Sequence, residues 1–268
     1  MPKNNNLKDF MTNEYLQLKN NIRYLFKVSP KKFKSEDPSF EDNFTDFSNW
    51  NRRLWWGSYS RDEKYCWMDE NQTSLVKDGV KVSYQKLPKV NTHTGETMEW
   101  ATGLLESKNT FKQGYYEVIC QIYPGEGVWH APLWFVTKGR GGDEFTVLPE
   151  PDVCEFYTEG DVNKYKPQTN FHFGKSYEKG EHLHIGAKTH RMRNVYKRDI
   201  SFAMEWKEDY IKFYYDGHLV RKVTNKLIMD NMKDQLVIIG AGVRKGENNK
   251  YAKEGGYLLV KSFKYWEL

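Results

Sequence analysis

The chain has 268 residues, 16% of them aromatic, and a formal net charge of +5 at pH 7. This length suffices to bury a core without disulfides, and the aromatic content excludes a disordered or fibrous protein. The 41 basic and 36 acidic residues are dispersed along the chain, so no basic stripe indicates nucleic-acid binding, and no run of about 18 apolar residues indicates a membrane span.

Residues 1–37 are predicted to form a helical arm and linker that precede a domain at 38–268. Apolar residues recur there at roughly helical spacing between polar ones, namely Leu7, Phe10, Met11, Tyr15, Leu16, Leu18 and Ile22. The arm either packs on the domain or serves in oligomer or particle attachment. No secretory signal is visible, which predicts a cytoplasmic protein or export by another route, such as carriage on a phage particle.

From about residue 38 the chain consists of short β-prone segments separated by turn signals. The dipeptides Asp78-Gly79 and Asp216-Gly217 predict two hairpins, and residues 114–123 and 256–266 predict further strands. Because no βαβ alternation and no fixed repeat occurs, the fold class is predicted to be all-β, an antiparallel β-sandwich. Widely spaced cysteines fit neither a disulfide framework nor a zinc site and are predicted to be buried thiols: Cys66, Cys120 and Cys154.

Three acidic residues, Glu150, Asp152 and Glu155, lie in one β-prone segment. In a regular strand Glu150 and Asp152 share a face while Glu155 points to the other. A single β-bulge between Asp152 and Glu155 returns Glu155 to the first face. No stability argument favours three like charges so close together, whereas retaining glycoside hydrolysis requires two carboxyl groups about 5–5.5 Å apart. An acidic edge strand or loop is the alternative interpretation.

Several segments, taken together, resemble glycoside hydrolase family 16, the group of laminarinases, agarases, carrageenases and porphyranases. The motif EPDVCE at 150–155 resembles that family's bulged active-site strand. Other matching segments, in chain order, are TGLLESK at 102–108, FKQGYYEV at 111–118, GVWHAPLWF at 127–135, TNFHFG at 169–174, FAMEW at 202–206 and the strand and turn at 210–217. The resemblance extends from about Phe40 to Leu268 and implies a concanavalin A-like jelly roll.

The resemblance also implies catalytic roles. Glu150 would be the nucleophile, Glu155 the general acid and later the base, and Asp152 would hold a hydrogen bond that tunes the nucleophile. The implied function is endo-acting hydrolysis, with retention of configuration, of a β-1,3-glucan or of a galactan such as agar, porphyran or carrageenan. Two positions differ from the family's pattern, since Pro151 replaces a branched apolar residue and Leu104 replaces an arginine.

The substrate groove is predicted to use flat aromatic faces that stack on sugar rings and polar groups that bind hydroxyls. Trp129 and Trp134 lie in a matched segment, and His172 falls where the family places a polar residue near the nucleophile. The remaining candidates lie in predicted loops or strand starts: Trp56, Trp100 and Arg140. A core position for Trp134 and a structural role for His172 are the alternatives.

No metal and no cofactor is predicted. Lys261 stands where the family often has an acidic calcium ligand, and His182 and His184 alternate along a presumed strand without a third ligand. The expected partner is a polysaccharide. Two other functions remain open, a non-catalytic carbohydrate-binding protein on the same fold and a particle-attachment protein docked through residues 1–37.

Overall fold

The computed structural model describes residues 36–55, 57, 66–92, 94–123, 128–138, 147–157, 166–176, 178, 181–184, 188–190, 192, 195, 198–243 and 255–268. Of the predicted helical arm only Glu36 and Asp37 fall within these ranges, and neither is helical. The rest of the arm lies outside the described residues. Among the described residues no helix is long and apolar enough to cross a membrane.

The described part of the chain is built almost entirely from strands. In chain order these are β1 (Phe40–Asp42), β2 (Trp50–Asn51), β3 (Cys66–Met68), β4 (Thr73–Val76), β5 (Gly79–Val90), β6 (Thr97–Thr102), β7 (Leu104–Ser107), β8 (Gly114–Ile122), β9 (Val128–Thr137), β10 (Val147–Tyr157), β11 (Gln168–Gly174), β12 (His182–His184), β13 (Lys188–Thr189), β14 (Ile200–Trp206), β15 (Ile211–Tyr215), β16 (His218–Val223), β17 (Gln235–Val243) and β18 (Gly256–Glu267). A 3-10 turn at Glu70–Gln72 and one short helix, α1 (Lys226–Asn231), complete the elements.

The strands form two sheets, which confirms the predicted β-sandwich. The back sheet has the order β16-β15-β14-β8-β18-β5-β6-β3, with β1 beside β18 and β4 beside β5. The front sheet, which carries the acidic strand β10, has the order β12-β11-β10-β9-β17-β7-β2, with β13 beside β11. Strand pairs are antiparallel apart from β3 with β6. Among the strand pairs of the described residues, seven join consecutive strands and nine join strands that are not consecutive in the chain, as in a jelly roll.

Both predicted hairpins are present. Tyr215 pairs with His218, so Asp216 and Gly217 form a two-residue loop, and their φ angles of 49° and 77° match the positive values that a type I′ turn requires. In the other hairpin Val76 pairs with Gly79, so the loop is Lys77 and Asp78, one residue earlier than the predicted Asp78-Gly79, and Gly79 begins β5 with a φ of 132°. A Cβ at Gly79 would lie 2.0 Å from a main-chain oxygen of β18, so both the conformation and the space require glycine there.

The two sheets enclose a core rich in aromatic rings, which explains the high aromatic content of the chain. Fully buried examples are Tyr116, Phe135, Phe156, Phe171, Phe202, Phe213, Tyr215 and Phe263. All three cysteines are buried thiols, as predicted. The core therefore depends on packing of side chains from both sheets.

Two buried histidines predict acid sensitivity. Burial lowers the pKa of His130 in β9 to about 3, and burial together with the charge of Arg221 lowers the pKa of His190 to about 3. Both are therefore neutral in the folded state, whereas an unfolded histidine titrates near pH 6.5. Their stabilising contribution is present above pH 6.5 and is lost as the pH falls, by about 1.4 kcal/mol per pH unit for each residue.

We therefore expect the His130→Leu variant to retain more of its stability in acid. Between pH 7.5 and pH 5 its free energy of unfolding, from urea titration, should fall by about 2 kcal/mol less than that of the wild type. The control is His218→Leu, which changes a half-buried histidine at the start of β16. Equal pH dependence in wild type and His130→Leu would contradict the assignment.

Candidate active site

Strand β10 contains the bulge that the spacing of its acids predicts. Its pairing with β11 shifts register between Asp152 and Glu155. Val153 and Cys154, which are consecutive, are both fully buried in the core between the sheets. Since inward and outward positions otherwise alternate along a strand, two consecutive inward residues return Glu155 to the outer face. Glu150, Asp152 and Glu155 therefore share the outer face of the front sheet.

Pro151 lies inside this strand, opposite Phe171 of β11, and is buried. A proline has no main-chain N–H to donate to a neighbouring strand and is usually confined to edges or bulges. Strand β10 is a central strand with register shifts on both of its sides. The pairs with β9 begin only at Asp152, so Pro151 lies just before that ladder starts, where a missing N–H donor is tolerated.

Register pairs also align a row of side chains across the front sheet. Asp152 pairs with Trp134 of β9, Trp134 with Ile238 of β17, and Ile238 with Glu106 of β7. Residues directly opposite one another project from the same face. The row continues to Asn51 of β2 and spans roughly 19 Å from β10 to β2 at the usual strand spacing. Asp152 and Glu106 of this row are almost fully buried, whereas Glu150 and Glu155, on either side of Asp152 in the sequence, are partly exposed.

His172 of β11 lies beside the acids. It is the register partner of Glu150, and its Nε2 lies 3.3 Å from Oδ2 of Asp152. On its other side, Nδ1 lies 2.9 Å from Nε2 of His182 in β12, with the two rings nearly parallel at 6°. His172 therefore lies between the three acids of β10 and a second imidazole.

The charge on His172 follows from these neighbours. Burial lowers its pKa, but the hydrogen bond to Asp152 and the negative charges of Asp152, Glu150 and Glu155 outweigh burial and raise the pKa to about 9. The side chain is thus an imidazolium at neutral pH. Because the folded-state pKa lies above the unfolded value, the stability that this group contributes is present below pH 6.5 and is lost as the pH rises through 9.

Ligand atoms of Glu150, Asp152 and His172 lie within 4.8 Å of one another. Two carboxylates and an imidazole could serve as ligands of a divalent cation, which would compete with the proton that the neighbouring acids favour on His172. The prediction that the protein uses no metal stays a prediction.

The other candidates for the groove have different positions. Trp134 is 9% exposed and packs on the outer face of the front sheet with Leu54, Leu104, Ala131 and Ile238. Its indole N–H has no hydrogen-bond acceptor among the described residues. Trp134 thus lies beside Asp152 on this face, and its indole N–H is buried there.

The prediction that Trp100 lies in the substrate groove is wrong. Its side chain is 4% exposed and belongs to the core between the sheets, which contradicts its predicted position at the groove surface. Sequence reasoning placed Trp100 at a strand start, but the residue lies within β6, where alternate side chains point inward. Trp56, Arg140 and the side chain of Trp129 lie outside the described residues.

Two residues of this face were not predicted to belong to the site. His182 was considered only as a metal ligand, and Glu106 was not considered. Glu106 is 1% exposed, accepts hydrogen bonds from Asn51 Nδ2 at 3.3 Å and from the Trp55 main-chain N–H at 2.9 Å, and has a pKa raised by burial. The available signal in the sequence was a single carboxylate among the apolar and small residues of Leu104–Ser107.

A family model described as "Glycosyl hydrolases family 16" matches residues 61–259. This span includes strands of both sheets and all three acids of β10. No curated protein matches the chain significantly. The family match covers 199 of the 268 residues, which is more than half of the chain.

Solved structures of similar fold include several glucanases. The LamAcat structure from Zobellia galactanivorans has a TM-score of 0.71 at 18% identity, covering 87% of this chain and 98% of that one. The catalytic domain of an endo-1,3-β-glucanase (laminarinase) from Thermotoga petrophila has a TM-score of 0.68 at 16% identity, covering 86% and 97%. A Bacteroides ovatus protein of the same family, in complex with a product of mixed-linkage glucan, has a TM-score of 0.67 at 16% identity, covering 84% and 99%. These likenesses establish the jelly-roll fold.

Proposed function

The chain belongs to glycosyl hydrolase family 16, and from that premise we propose that it is a retaining endo-glycoside hydrolase that cleaves a β-linked polysaccharide. The observation that carries the proposal is the bulge in β10, which returns Glu155 to the face of Glu150 and Asp152. A chain without such chemistry has no need to keep three carboxylates together against their repulsion.

In the proposed mechanism Glu150 attacks the anomeric carbon and forms a covalent glycosyl-enzyme intermediate. Glu155 protonates the departing glycosidic oxygen in that step and then deprotonates the water that hydrolyses the intermediate. The configuration at the anomeric carbon is inverted twice and so retained. Each role requires a different protonation state, since the nucleophile must be charged and the acid must carry a proton.

Asp152 and His172 are proposed to favour the charged nucleophile, Glu150, over its protonated form. The His172 imidazolium, ion-paired with Asp152 and facing Glu150 as its register partner, stabilises negative charge at the nucleophile end of the row. An opposite charge favours the ionised carboxylate, whereas a like charge nearby favours the protonated one. The proposal therefore assigns the charged form to Glu150, which lies beside His172, and the proton to Glu155.

The proposed substrate groove lies along the outer face of the front sheet, where Glu150, Glu155 and His172 are partly exposed. The ring of His172 and the edge of Trp134 are its proposed sugar contacts among the described residues. Trp129, Trp56 and Arg140 remain predicted substrate contacts. Among the similar structures, one is called a laminarinase and another holds a product of mixed-linkage glucan, which supports a β-glucan as the first substrate to examine, ahead of agar, porphyran and carrageenan.

The test is a reducing-sugar screen over laminarin, mixed-linkage β-glucan, agarose, porphyran and carrageenan. We expect new reducing ends from at least one of these polymers and a ladder of oligosaccharides, as endo cleavage produces, with Glu155→Gln as the inactive blank. Binding to a polymer without turnover would instead support the non-catalytic alternative. Release of reducing ends by the blank at the wild-type rate would contradict the proposed mechanism.

A further inference from the structure

The bulge that places Glu155 leaves an irregular gap between β10 and β11. Asp152 pairs with Asn170 and Glu155 pairs with Gln168, so two residues of β10 lie opposite Thr169 alone. A bulge of this kind disrupts the local ladder of main-chain hydrogen bonds. Polar main-chain groups buried at such a gap need other partners, because leaving them without any is costly.

One side chain of the back sheet reaches this gap. The hydroxyl of Tyr215, in β15, donates to the main-chain oxygen of Val153 at 2.7 Å and lies 3.3 Å from that of Gln168. It also lies within hydrogen-bonding range of the Cys154 thiol. The same hydroxyl therefore contacts both residues of the bulge and the β11 residue that pairs with Glu155.

The position of Tyr215 is itself well constrained. Its side chain is fully buried, and its ring makes edge contacts with Phe202 at 5.0 Å and with His190 at 5.5 Å between centroids.

A second side chain of the back sheet also reaches the gap. Nη1 of the buried Arg221 donates to the main-chain oxygen of Thr169 at 3.0 Å. Two back-sheet side chains thus supply donors to main-chain oxygens on both sides of the gap.

We propose that Tyr215 is a positioning residue, which holds the bulge of β10 in one conformation and thereby aims Glu155 at the glycosidic oxygen. The inference rests on the proposed function for the role of Glu155, but the contact between Tyr215 and the bulge does not. Without the hydroxyl, the Val153 carbonyl loses its buried donor and the bulge can relax. Because Glu155 directly follows the bulge, a change in the conformation of the bulge displaces its carboxyl group.

The variant Tyr215→Phe removes only the hydroxyl. Its matched control is Tyr214→Phe, which removes a hydroxyl from the adjacent residue on the other face of the back sheet, where it donates to Glu205 at 2.7 Å. Melting temperatures of both variants show whether each remains folded under the assay conditions. Any general effect of losing a buried hydrogen bond is then common to both.

The first readout is the dependence of kcat/KM on the leaving group. Phenyl and 2,4-dinitrophenyl glycosides of the same oligosaccharide differ in their need for a proton, since dinitrophenolate departs without acid assistance. We expect Tyr215→Phe to lower kcat/KM for the phenyl glycoside by about 10- to 100-fold, as small misplacements of a catalytic group do, and to change the dinitrophenyl value by less than about twofold. Tyr214→Phe should match the wild type on both.

The second readout needs no substrate. Deuterium exchange at the main-chain amides of residues 150–157 should quicken in Tyr215→Phe and stay at the wild-type rate in Tyr214→Phe. Wild-type exchange and wild-type leaving-group dependence in Tyr215→Phe would overturn the inference, as would equal changes in both variants. If the wild-type protein hydrolyses no glycan, the proposed function fails, and the exchange experiment still decides whether Tyr215 holds the bulge.

Discussion

Replacing Glu150 by glutamine is expected to lower kcat on the polysaccharide by at least about 1,000-fold, because the amide cannot attack the anomeric carbon. The substitution should not destabilise the fold. It is isosteric and removes both the repulsion from Asp152 and the attraction to His172, so the melting temperature should stay close to that of the wild type. Initial rates of reducing-sugar release and thermal melts measure the two effects.

The stereochemistry of chemical rescue identifies the nucleophile more sharply than loss of activity does. In Glu150→Ala, added azide can enter the space of the missing carboxylate and attack an activated β-glycoside directly. One displacement inverts the anomeric carbon, so the product should be the α-glycosyl azide, identified by NMR spectroscopy. A β-glycosyl azide, or activity within about tenfold of the wild type, would exclude Glu150 as the nucleophile.

Glu155→Ala is expected to lower kcat on the polysaccharide by roughly 100- to 10,000-fold, the usual contribution of a general acid and base. The loss should be small for formation of the intermediate from a dinitrophenyl glycoside, because that leaving group needs no proton. The intermediate then accumulates, since no base activates water. A burst of dinitrophenolate equal to the enzyme concentration, followed by slow turnover, is the expected kinetic signature.

Azide should rescue this second variant with the opposite stereochemical result. It attacks the glycosyl-enzyme formed on Glu150, and two displacements give the β-glycosyl azide. The control for both positions is Glu41→Ala, which removes a glutamate of β1 that is ion-paired with Lys264 in the back sheet. Glu41→Ala should keep wild-type turnover; if it loses activity as the other variants do, the losses reflect the fold and not the site.

Local sequence patterns were sufficient for the β-sandwich, whereas the bulge was favoured over an acidic edge strand only by the resemblance to family 16. Alternation of side chains along a strand is a short-range rule, so the spacing of Glu150, Asp152 and Glu155 specifies the faces on which they lie once one extra residue is allowed. The turn at Asp216-Gly217 is likewise local, because its positive φ angles depend on the two residues themselves. The burial of the cysteines follows from their thiol chemistry.

Other features of the site depend on strands that are distant in sequence. The contact of Tyr215 with Val153 joins residues 62 positions apart on different sheets. The row from Asp152 to Glu106 exists only through three strand pairings. Trp100 was predicted to be a surface residue because its neighbours in sequence do not show which face of β6 is covered by the other sheet. Burial and register are properties of the assembled sandwich, since each residue's surroundings come from chain segments that no local pattern connects. Composition and strand periodicity determined the all-β architecture. The packing and pairing of the strands decided which side chains meet at the acids.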